Sequence, residues 1–255
     1  MMYTERMSRI LKRAQRNDAV SLFQSILKEG AGVGAELASV LDGRLEGDWW
    51  QGIANSELDI LRDAQQYMQR FNQVQLQEGH VIAAILDSGE LDEVLSGSLR
   101  ERIIQIACSP RDLTCDLNKL KLDVDNQHSY FVRKVVLQDQ DKLLSWVQSQ
   151  FGERWAVQVG RAFQEQKDPA VFVAWSGNDI VGFACYDVFE GGKGWFGPMG
   201  TVKNQRGKGV GRTLLHSTLC DMRRNGYHKA TIKQAGPIEF YEKACKATII
   251  PLDEE

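Results

Sequence analysis

The segment Gln205-Arg206-Gly207-Lys208-Gly209-Val210-Gly211-Arg212 holds the clearest chemistry in this sequence, because glycines alternate there with cationic side chains. Glycine opens backbone angles closed to other residues, so successive N–H groups can turn inward on an anion. A strand-like stretch, Trp195 to Val202, precedes the segment, and an amphipathic helical stretch from about Val210 to Asn225 follows it and is stopped by Gly226. The start of a helix adds unsatisfied N–H groups and partial positive charge, which favours a phosphate. Arg206, Lys208 and Arg212 add charge at the rim.

Two familiar nucleotide motifs do not fit. A P-loop needs G-x-x-x-x-G-K-[ST], and neither Gly-Lys pair is followed by Ser or Thr. A dinucleotide fingerprint G-x-G-x-x-G counted from Gly207 ends on Arg212, and the strands before it read as hairpins. A third pattern, R-x-x-G-x-G, is met by Arg206, Gly209 and Gly211. Around it stand Phe196-Gly197-Pro198-Met199-Gly200 and Val202, then Leu214-Leu215, then Gly236-Pro237 with Phe240-Tyr241-Glu242-Lys243. On these residues the stretch from about Tyr130 to Ile250 resembles the GNAT superfamily of N-acetyltransferases. The bland alternative is a glycine-rich turn that only links strand to helix.

The resemblance implies acetyl-CoA as cofactor and no metal. It implies that the backbone of Thr201 and Val202 hydrogen-bonds the pantetheine arm, and that the amides of Arg206, Gly207, Lys208, Gly209, Val210, Gly211 and Arg212 hold the pyrophosphate. Gln234 matches a position where the family often has a polar residue near the cofactor; otherwise it is a strand-end hydrogen-bonder. Acetyl transfer from a thioester to an amine needs a neutral amine, a polarised carbonyl and an acid for the departing thiolate. Tyr241 occupies the position of the family's general acid. A phenol near pKa 10 serves a thiolate near 8.5 only when geometry holds them close. The alternative for Tyr241 is a core aromatic packed with Phe240.

No general base stands out. Asp187, Glu190 and Glu239 lie near strand or helix ends, and each reads first as a solvated surface carboxylate, with a chain of waters as the family's other route. Cys245 reads as a small buried thiol and not as a nucleophile.

The elements that must position these residues follow from periodicity. Tyr130 to Leu137 is strand-like, Lys142 to Gln150 and Glu153 to Gln164 helical, and Ala170 to Trp175 a strand. Gly177-Asn178 turns the chain into Ile180 to Phe189. After the glycine segment and its helix come a strand Lys229 to Lys233, a short helix Pro237 to Ala244 and a last strand Ala247 to Ile250. The order is β-α-α-β-β-β-α-β-α-β, a mixed sheet flanked by helices.

Upstream, the first ~125 residues read as successive helices. Thr4 and Glu5 precede the apolar series Met7, Ile10, Leu11 and Ala14, and further helices follow from Val20 to Leu27 and after Gly30-Ala31-Gly32. The pattern restarts at Ser56, with Leu58, Ile60, Leu61 and Ala64, and Glu78-Gly79-His80 opens the apolar run Val81 to Leu86. The two stretches, Tyr3 to Leu41 and Ser56 to Leu95, resemble the two helical repeats of the Clp ATPase N-terminal domain, which implies a module that docks proteins. His80 reads as a helix N-terminal residue that hydrogen-bonds locally. The fold class is therefore α+β: a helical Clp-N-like domain over 1–115, a polar linker over 116–128 and an acetyltransferase domain over 129–255.

With 31 Lys and Arg against 34 Asp and Glu, a net charge of −3 and a pI near 5.9, nothing attracts nucleic acid or anionic membrane in general. Residues 1–125 hold 14 basic and 20 acidic side chains, and the remainder 17 and 14, a mildly basic half that suits an anionic cofactor. The five cysteines form no C-x-x-C pair and read as reduced thiols. No apolar run approaches the ~20 residues of a membrane span, and Glu5, Arg6 and Arg9 have no apolar run behind them, so a cytoplasmic protein is expected. Two functions of different class remain open. One is acetyl transfer to a primary amine, on a small molecule or a protein, with a protein partner at the N-terminal domain. The other is a non-catalytic CoA-binding regulator or adaptor acting through the Clp-N-like domain.

Overall fold

A computed structural model describes residues 2–42, 59–122, 130–189 and 192–252. Ser56 and Leu58, residues 123–128 of the expected linker and Glu190 lie outside the described residues. The chain forms two compact units. One holds Met1–Arg111, Gly236–Glu239 and Pro251–Glu255, and the other Asp112–Ala235 and Phe240–Ile250.

The first unit is helical: α1 Glu5–Arg13, α2 Ala19–Leu27, α3 Gly32–Leu41, α4 Ile60–Arg70, α5 Glu78–Ser88 and α6 Gly97–Ile103, which runs into a π-helical turn Ile104–Cys108. Thr4 caps α1 by accepting from the Met7 amide at 3.1 Å, and Asp18 caps α2 through the Ser21 amide at 2.8 Å. α1 buries only Arg6, Met7 and Ile10, whereas α5 is buried along the whole run Val81 to Leu86. That difference makes α5 the unit's central helix, since each fully buried large apolar side chain contributes about 1.5–3 kcal/mol.

The second unit is built on a seven-stranded sheet in the order β2-β3-β4-β5-β6-β1-β7. Its strands are β1 Arg111–Asp116, β2 Phe131–Lys134, β3 Val171–Ser176, β4 Asp179–Tyr186, β5 Trp195–Thr201, β6 Lys229–Ala235 and β7 Thr248–Ile249. Its helices are α7 Gln140–Phe151, α8 Glu153–Glu165, α9 Val210–Arg224 and α10 Ile238–Cys245, the last beginning in the stretch assigned to the first unit. From β2 onward the element order is the one expected from periodicity. Strands β2 to β5 pair antiparallel in sequence, β5 pairs β6 in parallel, and β1 pairs β7 antiparallel. One core joins Leu143, Val147 and Val159 of the two helices to Val171, Val173, Phe183 and Cys185 of the sheet.

Strand β1 lies where residue order points to helix and linker. Its burial alternates, with Arg111, Leu113 and Cys115 inward and Asp112, Thr114 and Asp116 less covered. The period-2 signal is concealed because a charged residue opens its buried face: Arg111 is 2% exposed and forks onto Glu36 at 2.8 and 3.0 Å.

Candidate active site

The glycine segment joins β5 to α9. A single 3₁₀ turn, Lys203–Gln205, leads into it, and Gly209 is the N-cap of α9 in left-handed conformation at φ 89°. Gly207 is left-handed too, at φ 79°. No side chain caps α9. The amides of Arg206 and Lys208 donate back to Lys203 and Gln205, each at 3.4 Å. Among the described residues, the amides of Gly207, Gly209, Val210, Gly211 and Arg212 have no backbone acceptor. Gly207, Lys208, Gly209 and Arg212 are exposed. A run of donors at an open helix start, rimmed by cations, is what a pair of linked phosphates needs. A Cβ on Gly211 would lie 3.7 Å from both Phe240 and Thr201, so the turn passes close to its neighbours without strain there.

The Arg206 side chain is engaged within the chain. Its Nε donates to the Thr201 carbonyl at 3.0 Å, its guanidinium is half-buried, and burial lowers its pKa. The side chain ties the segment back to the end of β5. Thr201 and Val202 are also engaged within the chain: the Val202 amide donates to Val181 and its carbonyl accepts from Gln205, both at 3.0 Å. Further hydrogen bonds there would use a second lone pair of a carbonyl or the Thr201 amide.

Strands β5 and β6 pair only at Trp195 with Thr231 and Phe196 with Ile232 among the described residues, and beyond these two pairs the strands part. Tyr241 of α10 lies at that fork, its ring edge-on to Phe196 at 6.3 Å and to Phe240 at 4.9 Å. It is 6% exposed, and burial, followed by the neighbouring Cys245, pushes the phenol up from its ordinary value. Tyr241 is thus both a core aromatic and a residue at the parting of the strands. Gln234, near the end of β6, is exposed with φ 50°; its amide donates to Asp112 at 2.9 Å and its Oε1 accepts from Arg154 of α8 at 3.1 Å. Phe151 lies over Gly200, where a Cβ would stand 2.6 Å from the ring, so β5 must be bare of side chain there.

Two carboxylates differ from expectation. Glu239 is not a solvated surface group: it is 6% exposed and accepts the Arg6 amide at 3.1 and 3.2 Å. The Asp187 side chain is likewise covered, accepting from the Gly194 amide at 2.7 Å and from the Tyr227 hydroxyl, so it braces a turn at φ 56°. Both are polar residues at element ends, which sequence alone cannot distinguish from exposed ones. Cys245 is buried, its thiol donating to the Tyr241 carbonyl at 3.2 Å. Asp112, Arg154 and Phe151 had no sequence signal; they meet the site only through the sheet order and the α7–α8 pair.

Residues 140–246 match the acetyltransferase (GNAT) family. They form a GNAT acetyltransferase domain. Acetyl-CoA is the cosubstrate of such domains. No curated protein sequence matches the chain. Among solved structures it is similar to the GCN5-related glucosamine N-acetyltransferase region of a fungal multi-domain GH3 β-N-acetylglucosaminidase, at TM-score 0.47 and 13% identity over 55% of this chain and 19% of that one. A GCN5-related N-acetyltransferase from Sphaerobacter thermophilus gives TM-score 0.47 and 17% identity over 67% of this chain and 62% of that one. A GNAT family acetyltransferase from Brucella melitensis in complex with acetyl-CoA gives TM-score 0.38 and 17% identity over 49% and 90%. The chain thus spans less than two thirds of the length of the first two structures it matches. Among the described residues, no helix is long and apolar enough to cross a membrane.

Proposed function

We propose that this protein moves an acetyl group from acetyl-CoA to a primary amine, and that its helical N-terminal unit is a protein-docking or regulatory module. One observation carries the first half: the amides of Gly207, Gly209, Val210, Gly211 and Arg212, without a backbone acceptor among the described residues, at the uncapped start of α9, in a domain whose β5 and β6 pair only up to Phe196 and Ile232. Acetyl-CoA supplies the activated acetyl group when bound. The amides of the segment hold the pyrophosphate, with Lys208 and Arg212 as rim charges and Arg206 as a brace. The backbone of Thr201 and Val202 faces the pantetheine arm, and Gln234 orients a polar group near it.

Tyr241 is the proton donor in this reading. A phenol pushed up by burial keeps its proton until a thiolate stands beside it, and is then a weaker acid than a free one, so the transfer relies on close placement. The acceptor is an amine on a small molecule or on a protein. For the N-terminal unit, the successive pairs α1–α2 and α4–α5, each helix start preceded by a polar cap, support a duplicated Clp-N-like repeat.

Isothermal titration with CoA tests the cofactor half. Binding in the micromolar range is expected, and no heat and no competition at millimolar CoA overturns the reading. Thiol release from acetyl-CoA over a panel of amines and peptides tests the reaction. Tyr241→Phe is expected to lower kcat by about 10²-fold or more, as loss of a general acid does.

A further inference from the structure

Beside the glycine segment stands a residue that no motif singles out. Tyr130 is 5% exposed, and its hydroxyl lies 3.1 Å from Oγ1 of Thr213. Thr213 in turn reaches the Gly209 carbonyl twice, through its amide at 3.0 Å and through its hydroxyl at 3.4 Å. A Cβ placed on Gly209 would come within 3.0 Å of the Tyr130 hydroxyl. Gly209 is the left-handed residue that turns the chain into α9, so its carbonyl and amide orientation decide where the next N–H groups point. Arg206 fixes one end of the segment on β5, and the Tyr130–Thr213 pair fixes the other.

We infer that Tyr130 is a positioning residue for pyrophosphate binding: with Thr213 it forms a polar backstop that holds the Gly209 turn, and so the amides from Gly209 to Arg212, in a preset orientation toward the anion. This rests on the acetyl-CoA reading of the segment. The geometry has a chemical logic. A turn built from glycines is cheap to form but costly to hold in one state, and a preset donor array binds its anion without that ordering cost. A hydroxyl pair buried against the turn supplies the restraint from the protein side, and the glycine leaves the space that the hydroxyl occupies.

The experiment titrates the wild-type chain and the Tyr130→Phe, Thr213→Val and doubly substituted chains with CoA, inorganic pyrophosphate and pantetheine, and follows turnover with acetyl-CoA. Loss of one neutral hydrogen bond is expected to weaken CoA and pyrophosphate about three- to ten-fold in each single variant. Pantetheine affinity and kcat at saturating acetyl-CoA stay unchanged, KM for acetyl-CoA rises, and the double variant loses no more than the larger single loss. If the wild type binds CoA but Tyr130→Phe binds it equally well, or loses pantetheine as much as CoA, the inference is overturned while the cofactor reading stands. If the wild type binds neither CoA nor pyrophosphate, both are overturned. Should Thr213→Val fail to fold, the Tyr130→Phe ligand pattern with its KM-against-kcat split decides alone.

Discussion

Two helix starts in this protein are finished in opposite ways. At α5, Gln77 and His80 form a reciprocal capping box in which Nδ1 of His80 accepts the Gln77 amide at 3.3 Å, and Glu78 beside them is buried against Arg6 at 2.6 Å. At α9, the N-cap is a bare glycine and the first-turn amides are left open beside exposed cations. A side-chain cap stabilises a helix start by about 1 kcal/mol. The α5 end takes that stabilisation through Gln77 and His80. The α9 end forgoes it and keeps both its donors and its dipole for an anion. Polar residues around a helix start therefore carry opposite meanings according to whether they turn back on the backbone or leave it free.

The largest test of the closed end is Arg6→Met. The Arg6 and Glu78 side chains are each 5% exposed, and burial pushes the Glu78 carboxyl up against the pull of Arg6. Removing the cation strands an acidic group in the core, and we expect destabilisation of about 3–5 kcal/mol. A denaturation midpoint followed by far-ultraviolet circular dichroism checks it, and a loss below about 1 kcal/mol would mean the pair is incidental to the helix start. The matching test of the open end is Gly211→Val. The protein side accommodates the first added carbon at 3.7 Å, so the fold survives while the branched methyls crowd the donors. We expect CoA affinity to fall by about 100-fold or more, roughly the worth of one or two charge-assisted hydrogen bonds, with an unchanged melting temperature. Normal binding would remove the segment from the site.

Much of the open end is readable from residue order, because glycine spacing and the strand-to-helix switch are local properties. The element order from β2 to β7 is readable for the same reason: each amphipathic period is complete within its own segment. What residue order does not carry is partnership across the chain. Arg206 reads as a rim charge, with no sign that its Nε donates to the Thr201 carbonyl; Glu239 reads as a surface acid until it accepts the Arg6 amide; and β1 reads as helix and linker because Arg111 occupies a buried strand position through Glu36. In each case a charge is neutralised by a partner distant in sequence or by a backbone group, and no periodicity reports that. His80 is the opposite case. Its expected role, a local hydrogen bond at a helix start, needs only its neighbour three residues back.

His80 also gives the closed end a pH signature. It is 2% exposed and burial lowers its pKa to about 4 from an ordinary value of 6.5. The unfolded chain therefore binds the proton first as pH falls. The stability associated with neutral His80 is complete above about pH 6.5, is lost progressively from there down to about pH 4, and changes no further below that. Between pH 7 and pH 5 the loss is on the order of 2 kcal/mol. Unfolding free energies at pH 7 and pH 5, compared between wild type and His80→Asn, isolate it from the carboxylates. An equal pH dependence in both chains would show that the imidazole is hydrated and the cap not closed.

The smallest expected effect separates two meanings of the motif arginine at the open end. If Arg206 served as a rim charge, Arg206→Lys would retain most of its function and Arg206→Ala would lose it in a strongly salt-dependent way. If it is a brace, lysine cannot supply the Nε donor that reaches Thr201 at 3.0 Å, and the two variants should behave alike. The structure favours the brace, so we expect CoA to weaken about three- to ten-fold in both, the worth of one hydrogen bond that orders the turn. The ratio of variant to wild-type affinity should be the same at low and high salt, because a side chain turned into the protein contributes little to the field at the phosphates. Titrations of the three chains at two ionic strengths measure it, and a lysine variant that binds like wild type would return Arg206 to the ligand side of the site.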